Sequence, residues 1–350
     1  MVSIQTLSSS ETLKVTVLGP GDSRAETPEN RDVWWFLAQP FDPWVSPAEA
    51  EMLARALRGA TDGTLHDYMF VGRLDDTVVG TAWHATNRAT REMGVYGYVL
   101  TDPAHRGKGI AQILTKMSLE HFRADGGKAV YLGTDNPIAR HVYEKLGYRS
   151  YNGIVMRAVR EDVDPDIFDT DYFRYDGKGL VRDVTQGDVG GYVALLHARE
   201  PTDWVVRDFT ESLFFAPPAV QATGCVGPFD RIWLRHEMNS ANQLKALVTR
   251  DDRIVAAAAL AGPASGALAG SAMLEFQCYP TYRGELETLL SATLEAAQSA
   301  GVRSVRGYAV AADRRAAFME AGFSEESVAR GLLDLGDKRA DVHIFQRDLG

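Results

Sequence analysis

The stretch Arg106-Gly107-Lys108-Gly109-Ile110-Ala111 is built to hold an anion. An apolar run ends just before it at Thr101-Asp102-Pro103, and a helical pattern through Ile113, Leu114, Met117 and Leu119 opens just after it. The order is strand, tight turn, helix N-terminus. N–H groups at a helix start lack intrahelical acceptors and point outward, which suits a phosphate or pyrophosphate. Gly107 and Gly109 remove the Cβ atoms that would keep a ligand off the backbone. Arg106 and Lys108 add positive charge. The spacing is neither the Gly-x-Gly-x-x-Gly dinucleotide fingerprint nor a loop ending in Gly-Lys-Ser/Thr. A plain turn carrying solvated cations is the alternative reading.

Around this loop the pattern supplies the elements that must position it. Leu13 to Leu18 alternates as a first strand, after a polar and frayed stretch at 1–12. Asp32 to Gln39 is dense in aromatics (Trp34, Trp35, Phe36), and Phe41 and Trp44 follow. They are either core packing of a short helix or one wall of a cleft. Ser46-Pro47-Ala48-Glu49 starts a helix that runs to about Arg58. Tyr68 to Leu74 and Val78 to Ala85 form a hairpin across Asp75-Asp76. Gly94 to Leu100 is the strand that feeds the loop, and Gly109 to Asp125 is the helix beyond it, stopped by Gly126-Gly127. Lys128 to Gly133 is a strand, Asn136 to Leu146 a short helix, and Tyr148 to Val159 is strand-like.

The loop resembles the acyl-CoA-binding motif of the GCN5-related N-acetyltransferase (GNAT) superfamily, Arg/Gln-x-x-Gly-x-Gly/Ala. The downstream run Asn136-Pro137-Ile138-Ala139-Arg140-His141-Val142-Tyr143-Glu144-Lys145-Leu146-Gly147-Tyr148 resembles the family's second signature: Asn, a short helix, Tyr, then Leu-Gly-Phe/Tyr. The resemblance is close over about 95–150. It implies that Arg106, Gly107, Lys108, Gly109, Ile110 and Ala111 hold the pyrophosphate of acetyl-CoA. It implies that Val99, Leu100 and Thr101 offer backbone groups to the pantetheine and the thioester. Asn136 is a helix N-cap, a cofactor contact, or both. The resemblance gives Tyr143 the family's role of general acid toward the CoA sulfur, the alternative being a core tyrosine bound to a backbone carbonyl; a phenol with a pKa near 10 keeps its proton at neutral pH.

The general base is less determined. Glu92 precedes the strand and can serve as base or sit solvated. His84, on the neighbouring strand, can serve as base or be a half-buried core residue. Tyr96 is a candidate lining residue of the acceptor pocket, with Trp34, Trp35, Phe36 and Trp44 in the substrate wall.

The second half reads as a degraded copy. Pro280-Thr281-Tyr282-Arg283-Gly284 lies opposite Pro103-Ala104-His105-Arg106-Gly107, and Phe318 to Phe323 opposite Tyr143 to Tyr148. The offsets, 177 residues at Arg283 and 175 at Phe318, nearly agree, so the signatures keep their spacing. Leu286 stands for Gly109, Thr288 for Ala111, Glu285 for Lys108, Glu287 for Ile110 and Phe318 for Tyr143. These changes remove the close backbone approach, the positive charge and the hydroxyl, so the copy is not expected to bind CoA. Strands are expected at Leu180 to Val184, Ile232 to Glu237, Leu244 to Thr249, Ile254 to Leu260, Met273 to Cys278 and Val305 to Val310. Helices are expected at Gly190 to His197, after the run Pro280 to Leu286 as far as about Ala300, and at Arg314 to Glu320. The expected fold is α+β: two tandem GNAT-like domains, each a mixed, mostly antiparallel sheet flanked by helices. The domains are 1–160 (catalytic) and 180–350 (degenerate). An acidic connector at 161–179 joins them and contributes a strand at Tyr172 to Tyr175.

The 350-residue chain is 45% hydrophobic and 24% charged, which suits two globular domains with real cores. A net charge of -10 argues against nucleic acid. Cys225 and Cys278 have neither metal nor disulfide-scaffold spacing and read as buried thiols. No His/Cys/Asp cluster has metal spacing, so no metal is expected. No signal peptide or membrane span is read, which implies a cytoplasmic protein, monomeric or homodimeric, without a membrane partner. The resemblance implies an N-acetyltransferase that moves acetyl from acetyl-CoA to the primary amine of a small molecule by direct attack. The alternatives are a protein or peptide N-acetyltransferase, a donor with a larger acyl group, and a non-catalytic acyl-CoA sensor.

Overall fold

The alternation at Leu13 and Val15 produces a strand with one dry face, β2 (Thr12–Leu18), in which both side chains are fully buried. The computed structural model describes residues 2–21, 28–38, 47–61, 63–198, 227–262, 271–334 and 339–350. The stretch expected to fray is a strand instead, β1 (Val2–Thr6), zipped antiparallel to β2 from Val2 opposite Thr16 to Thr6 opposite Thr12. None of its side chains is fully buried, so it has no dry face to reveal it, and it is held by main-chain pairing with β2. Helices α1 (Pro28–Leu37) and α2 (Pro47–Leu57) follow.

β3 (Leu65–Leu74) and β4 (Thr77–Asn87) make the expected hairpin. Its turn residues Asp75 and Asp76 have φ of 45° and 63°, the left-handed pair of a type I′ turn, which Asp tolerates. Then come β5 (Met93–Thr101), α3 (Ile110–Ala124), β6 (Ala129–Gly133), α4 (Pro137–Lys145), β7 (Arg149–Asn152) and β8 (Val155–Val159). They form an eight-stranded sheet in the order β1-β2-β3-β4-β5-β6-β8-β7. The pair β5/β6 is parallel, because α3 crosses between them. α3 buries Ile110, Leu114, Ser118 and Phe122 at helical spacing. It lies so close to the sheet that a Cβ on Gly94 would meet the Phe122 ring at 2.6 Å.

The later elements are α5 (Phe168–Tyr172), β9 (Leu180–Asp183), α6 (Val189–His197), α7 (Gly227–Met238), β10 (Gln243–Val248), β11 (Ile254–Ala261) and β12 (Ala272–Cys278). A 3-10 turn (Pro280–Glu285) leads into α8 (Leu286–Ser299), followed by β13 (Ser304–Ala309), α9 (Ala312–Glu320), β14 (Ser324–Asp334) and β15 (Arg339–Asp348). The second sheet runs β14-β15-β13-β12-β11-β10-β9. Read from β9, every strand occupies the seat of the strand seven earlier in the first sheet, and β12/β13 is again a parallel pair. This agrees with a duplicated fold.

Two local expectations change. The acidic stretch carries the short helix α5 and no strand at Tyr172 to Tyr175, and it buries Phe168, Tyr172 and Phe173. Phe173 stacks on Tyr279 at 4.2 Å, so aromatic anchors override the solvated charges. The strand expected at 232–237 is helix α7: Phe229, Ile232, Trp233 and His236 repeat at helical spacing behind Gly227-Pro228. The described residues of Met1–Pro165, Thr185–Val193 and Gly224–Asp230 make one unit, and the remaining described residues a second. No described helix is long and apolar enough to cross a membrane.

Candidate active site

The anion loop is open. Gly107 and Gly109 have φ of 80° and 85°, and a Cβ built on either meets nothing within 4 Å. Both glycines are needed for the left-handed backbone, and both face free space. Asp102 caps the preceding 3-10 turn by accepting from the Ala104 N–H at 2.7 Å. The Ile113 N–H donates to the Gly109 carbonyl, which leaves the N–H groups of Ile110, Ala111 and Gln112 without an intrahelical acceptor. Arg106 is exposed, and its Nε donates to the Thr101 carbonyl at 3.3 Å.

Lys108 is not a free cation. Its Nζ lies 2.7 Å from a Glu11 carboxylate oxygen, and the Ser8 hydroxyl donates to its carbonyl at 3.2 Å. The β1–β2 turn therefore clasps the loop. The Lys108 hydrogen bond, and next the Ser9 hydroxyl, hold the Glu11 carboxyl below its usual range. Sequence reading missed this clasp, because nothing in the spacing links residues 8–11 to residue 108.

The strand ahead of the loop is irregular where it matters. In the β4/β5 ladder Trp83 faces Gly97 and Thr81 faces Leu100, so Ala82 opposes two residues, Tyr98 and Val99. Tyr98 takes φ of 50°, and its carbonyl accepts from the Thr81 hydroxyl at 2.8 Å. On the other side, the β5/β6 ladder covers Met93–Val95 against Ala129–Tyr131 and goes no further. Beyond Val95 a gap opens between the strands, bounded by Tyr96 to Thr101.

Tyr143 lies on the α4 face of the sheet. It is buried, its ring centroid is 6.1 Å from Tyr96 in an edge-on contact and 5.7 Å from Tyr148. Asn136 caps α4, accepting from the Ile138 N–H at 2.9 Å. Val99, Leu100 and Thr101 are half-buried along β5.

The base candidates lie apart from this geometry. Glu92 is paired with Lys128 at 2.5 Å, and seven residues of strand, about 20 Å, separate it from Val99. His84 is buried beneath α3, with Nδ1 2.8 Å from the Ser118 hydroxyl. Burial first, and then His121 and His66, push its pKa down to about 3, so it is a neutral and weakly basic imidazole.

Tyr96 is a core residue rather than a cleft wall. Its hydroxyl donates to Thr115 at 2.8 Å, and burial raises its pKa well above the usual phenol value. The bulge delivers Tyr98 to the opposite face, edge-on to Trp83 at 5.3 Å. There the two rings help to line a cavity with Met52, Leu53, Phe229 and Asp230. Of the aromatic stretch, Phe36 is buried and Trp34 and Trp35 are exposed, while Trp44 lies outside the described residues. Cys278 is a buried thiol with its pKa pushed up to about 12 by burial, and Cys225 is outside the described residues. Among the described residues no group of three or more His, Cys, Asp or Glu is arranged to hold a metal.

Residues 31–148 match the Acetyltransferase (GNAT) family. A mycothiol acetyltransferase of Gordonia bronchialis is 38% identical over 71 residues, covering 20% of this chain and 23% of that protein. A mycothiol acetyltransferase of Rhodococcus erythropolis is 31% identical over 109 residues, 30% of this chain and 36% of that protein. The chain thus spans about a quarter to a third of the length of these curated relatives. A solved GNAT superfamily phosphinothricin acetyltransferase from Sinorhizobium meliloti is 14% identical, with a TM-score of 0.38 over 50% of this chain and 90% of that one.

Proposed function

Residues 31–148 are a GNAT acetyltransferase domain, and from that premise we propose that the chain moves an acetyl group from acetyl-CoA to the primary amine of a small molecule. The observation that carries the reading is the pairing of two features: an open glycine cradle at the start of α3, and a β5/β6 ladder that ends at Val95, next to Tyr96, on whose ring the buried Tyr143 packs edge-on. The cradle fits a pyrophosphate, since both glycine positions have free space where a ligand would lie.

In this reading the N–H groups at Gly109 to Ala111 and the Arg106 guanidinium hold the pyrophosphate. The main chain of Val99 to Thr101, freed from β6, pairs with the pantetheine. The amine nitrogen attacks the thioester carbon, the new C–N bond forms, and the C–S bond breaks. Tyr143 gives its proton to the departing sulfur and regains one from solvent. The amine proton leaves to water rather than to Glu92 or His84, because the first is about 20 Å along the strand and the second is too weak a base. The cavity beside Trp83 and Tyr98 favours an acceptor of small size. The names of the two relatives also favour a small acceptor.

The test is a panel of small amines and peptides incubated with acetyl-CoA while free thiol is followed. Turnover with small amines supports the reading; turnover with peptides alone overturns the acceptor class. Tyr143→Phe should lower kcat at least tenfold with the Kd for acetyl-CoA nearly unchanged, in line with general-acid contributions of about 10²–10⁴. Equal loss of both would remove Tyr143 from the proton-transfer role.

A further inference from the structure

The second sheet has the same gap between its parallel strands, and there the gap is filled from inside. The β12/β13 ladder covers Ala272 and Met273 against Val305 and Arg306 and then stops. Arg314, on the first turn of α9, is fully buried at that point. Its Nη1 donates to the Phe276 carbonyl on β12 at 2.8 Å, and its Nε to the Tyr308 carbonyl on β13 at 3.2 Å. Its Nη2 donates to Glu275, itself buried, and the guanidinium lies 4.3 Å from the centre of the Phe276 ring. One planar group thus bridges the main chains of both strands just beyond the end of their own ladder, with its charge answered by a carboxylate.

The first sheet has no arginine at the matching position. By the offset that matches Phe318 to Tyr143, the position of Arg314 is Ala139, whose methyl cannot reach across a strand gap. Two more features separate the gaps. The β11/β12 ladder runs without a shift from Ala256–Cys278 to Ala261–Met273, so the bulge that displaces Tyr98 and Val99 has no counterpart. The loop after β12 is a 3-10 turn continuing into α8, where the Leu286 N–H donates to the Arg283 carbonyl and Leu286 is buried. The N–H at the position of Gly109 is thus spent inside the helix, and a buried leucine stands where the cradle has its glycine.

We infer that Arg314 is the built-in occupant of the strand gap in the second unit, so that the chain binds one acyl-CoA and the second unit holds its shape without a ligand. The count rests on the acyl-CoA reading of the first unit; the occupancy of the gap by Arg314 does not. A backbone carbonyl in a dry gap needs a donor, and a ligand or water is the usual supply. Here a side chain supplies it permanently, and Glu275 makes the buried charge tolerable.

Two measurements on the full-length chain test this. Calorimetric titration with CoA should give one site per chain, and Gly109→Leu, in the first unit, should remove it entirely. Two sites, or binding that survives Gly109→Leu, overturns the inference. No binding by the unaltered chain would sink the acyl-CoA reading instead, and the second measurement still decides the role of Arg314. That measurement is hydrogen exchange. In Arg314→Ala, amides at 276–279 and 308–310 should exchange at least tenfold faster, while those at 93–101 are unchanged. If the unpaired Glu275 prevents folding, the double replacement Arg314→Met with Glu275→Leu removes both charges and leaves the gap unbridged, with the same acceleration expected. Unchanged exchange at 276–279 and 308–310 in either folded variant overturns the role of Arg314.

Discussion

Mild acid should destabilise the first unit through its buried histidines, and His84 sets the scale. It lies on β4 beneath α3, with its ring 5.4 Å from His121, 5.8 Å from Phe70 and 6.1 Å from Phe122. Burial and the neighbouring imidazoles take its pKa from 6.5 to about 3. The unfolded chain therefore binds a proton near pH 6.5 that the folded chain refuses until about pH 3. Between those values the unfolded state holds one more proton, so stability falls with falling pH by about 1.4 kcal/mol per unit. From pH 8 to pH 5 the loss is about 2 kcal/mol, and by pH 3 it approaches about 5 kcal/mol. His66 and His121 are lowered mainly by burial and act in the same direction. His84→Asn keeps a polar group toward Ser118 and cannot titrate. Hydrogen exchange at Leu114 to Phe122 reports the opening free energy of this unit alone, at pH 5 and pH 8, after correction for intrinsic exchange rates. The unaltered chain should lose about 2 kcal/mol more than the variant across that interval; the fixed cost of the replacement cancels in the difference. Equal losses in the two proteins would refute the reasoning.

Three further outcomes follow from the loop and its supports. Gly109→Leu forces a side chain into a backbone with φ of 85°, a strain of about 1–2 kcal/mol, and fills the open cradle, so CoA binding measured by calorimetry should be lost. Glu11→Gln frees Lys108 for the ligand and should tighten acetyl-CoA binding about two- to fivefold at low salt, with the gain shrinking as salt rises. Gly80→Ala puts a Cβ 2.7 Å from Ile110 Cγ2 and 3.1 Å from the Leu100 carbonyl. The start of α3 must then shift, at a cost of about 1–3 kcal/mol in urea unfolding, with weaker acetyl-CoA binding besides.

What the sequence determined was local. The glycines at 107 and 109, the helix cap at Asn136, the spacing of α3 and the Asp75-Asp76 turn are each dictated by steric or hydrogen-bonding rules that act within a few residues. Periodicity was enough to place most strands, and the paired signatures pointed to a duplication with which the two sheet orders agree, because spacing survives where side chains have drifted. It failed at β1, where exposed residues conceal a strand held by its main chain, and at α7, whose short apolar run reads equally as strand. The site required contacts far apart in the chain. Strand alternation assigns Tyr96 and Tyr98 to one face, and only the bulge opposite Ala82 sends Tyr98 to the other. No local rule reveals that Glu11 holds Lys108, that Lys128 holds Glu92, or that α3 buries His84 into a weak base. Nor does any local rule reveal that Arg314 spans two strands in the second sheet. Register, burial and the partner of each charge are properties of the assembled sheet. They decide which of the residues that could do chemistry are left able to do it.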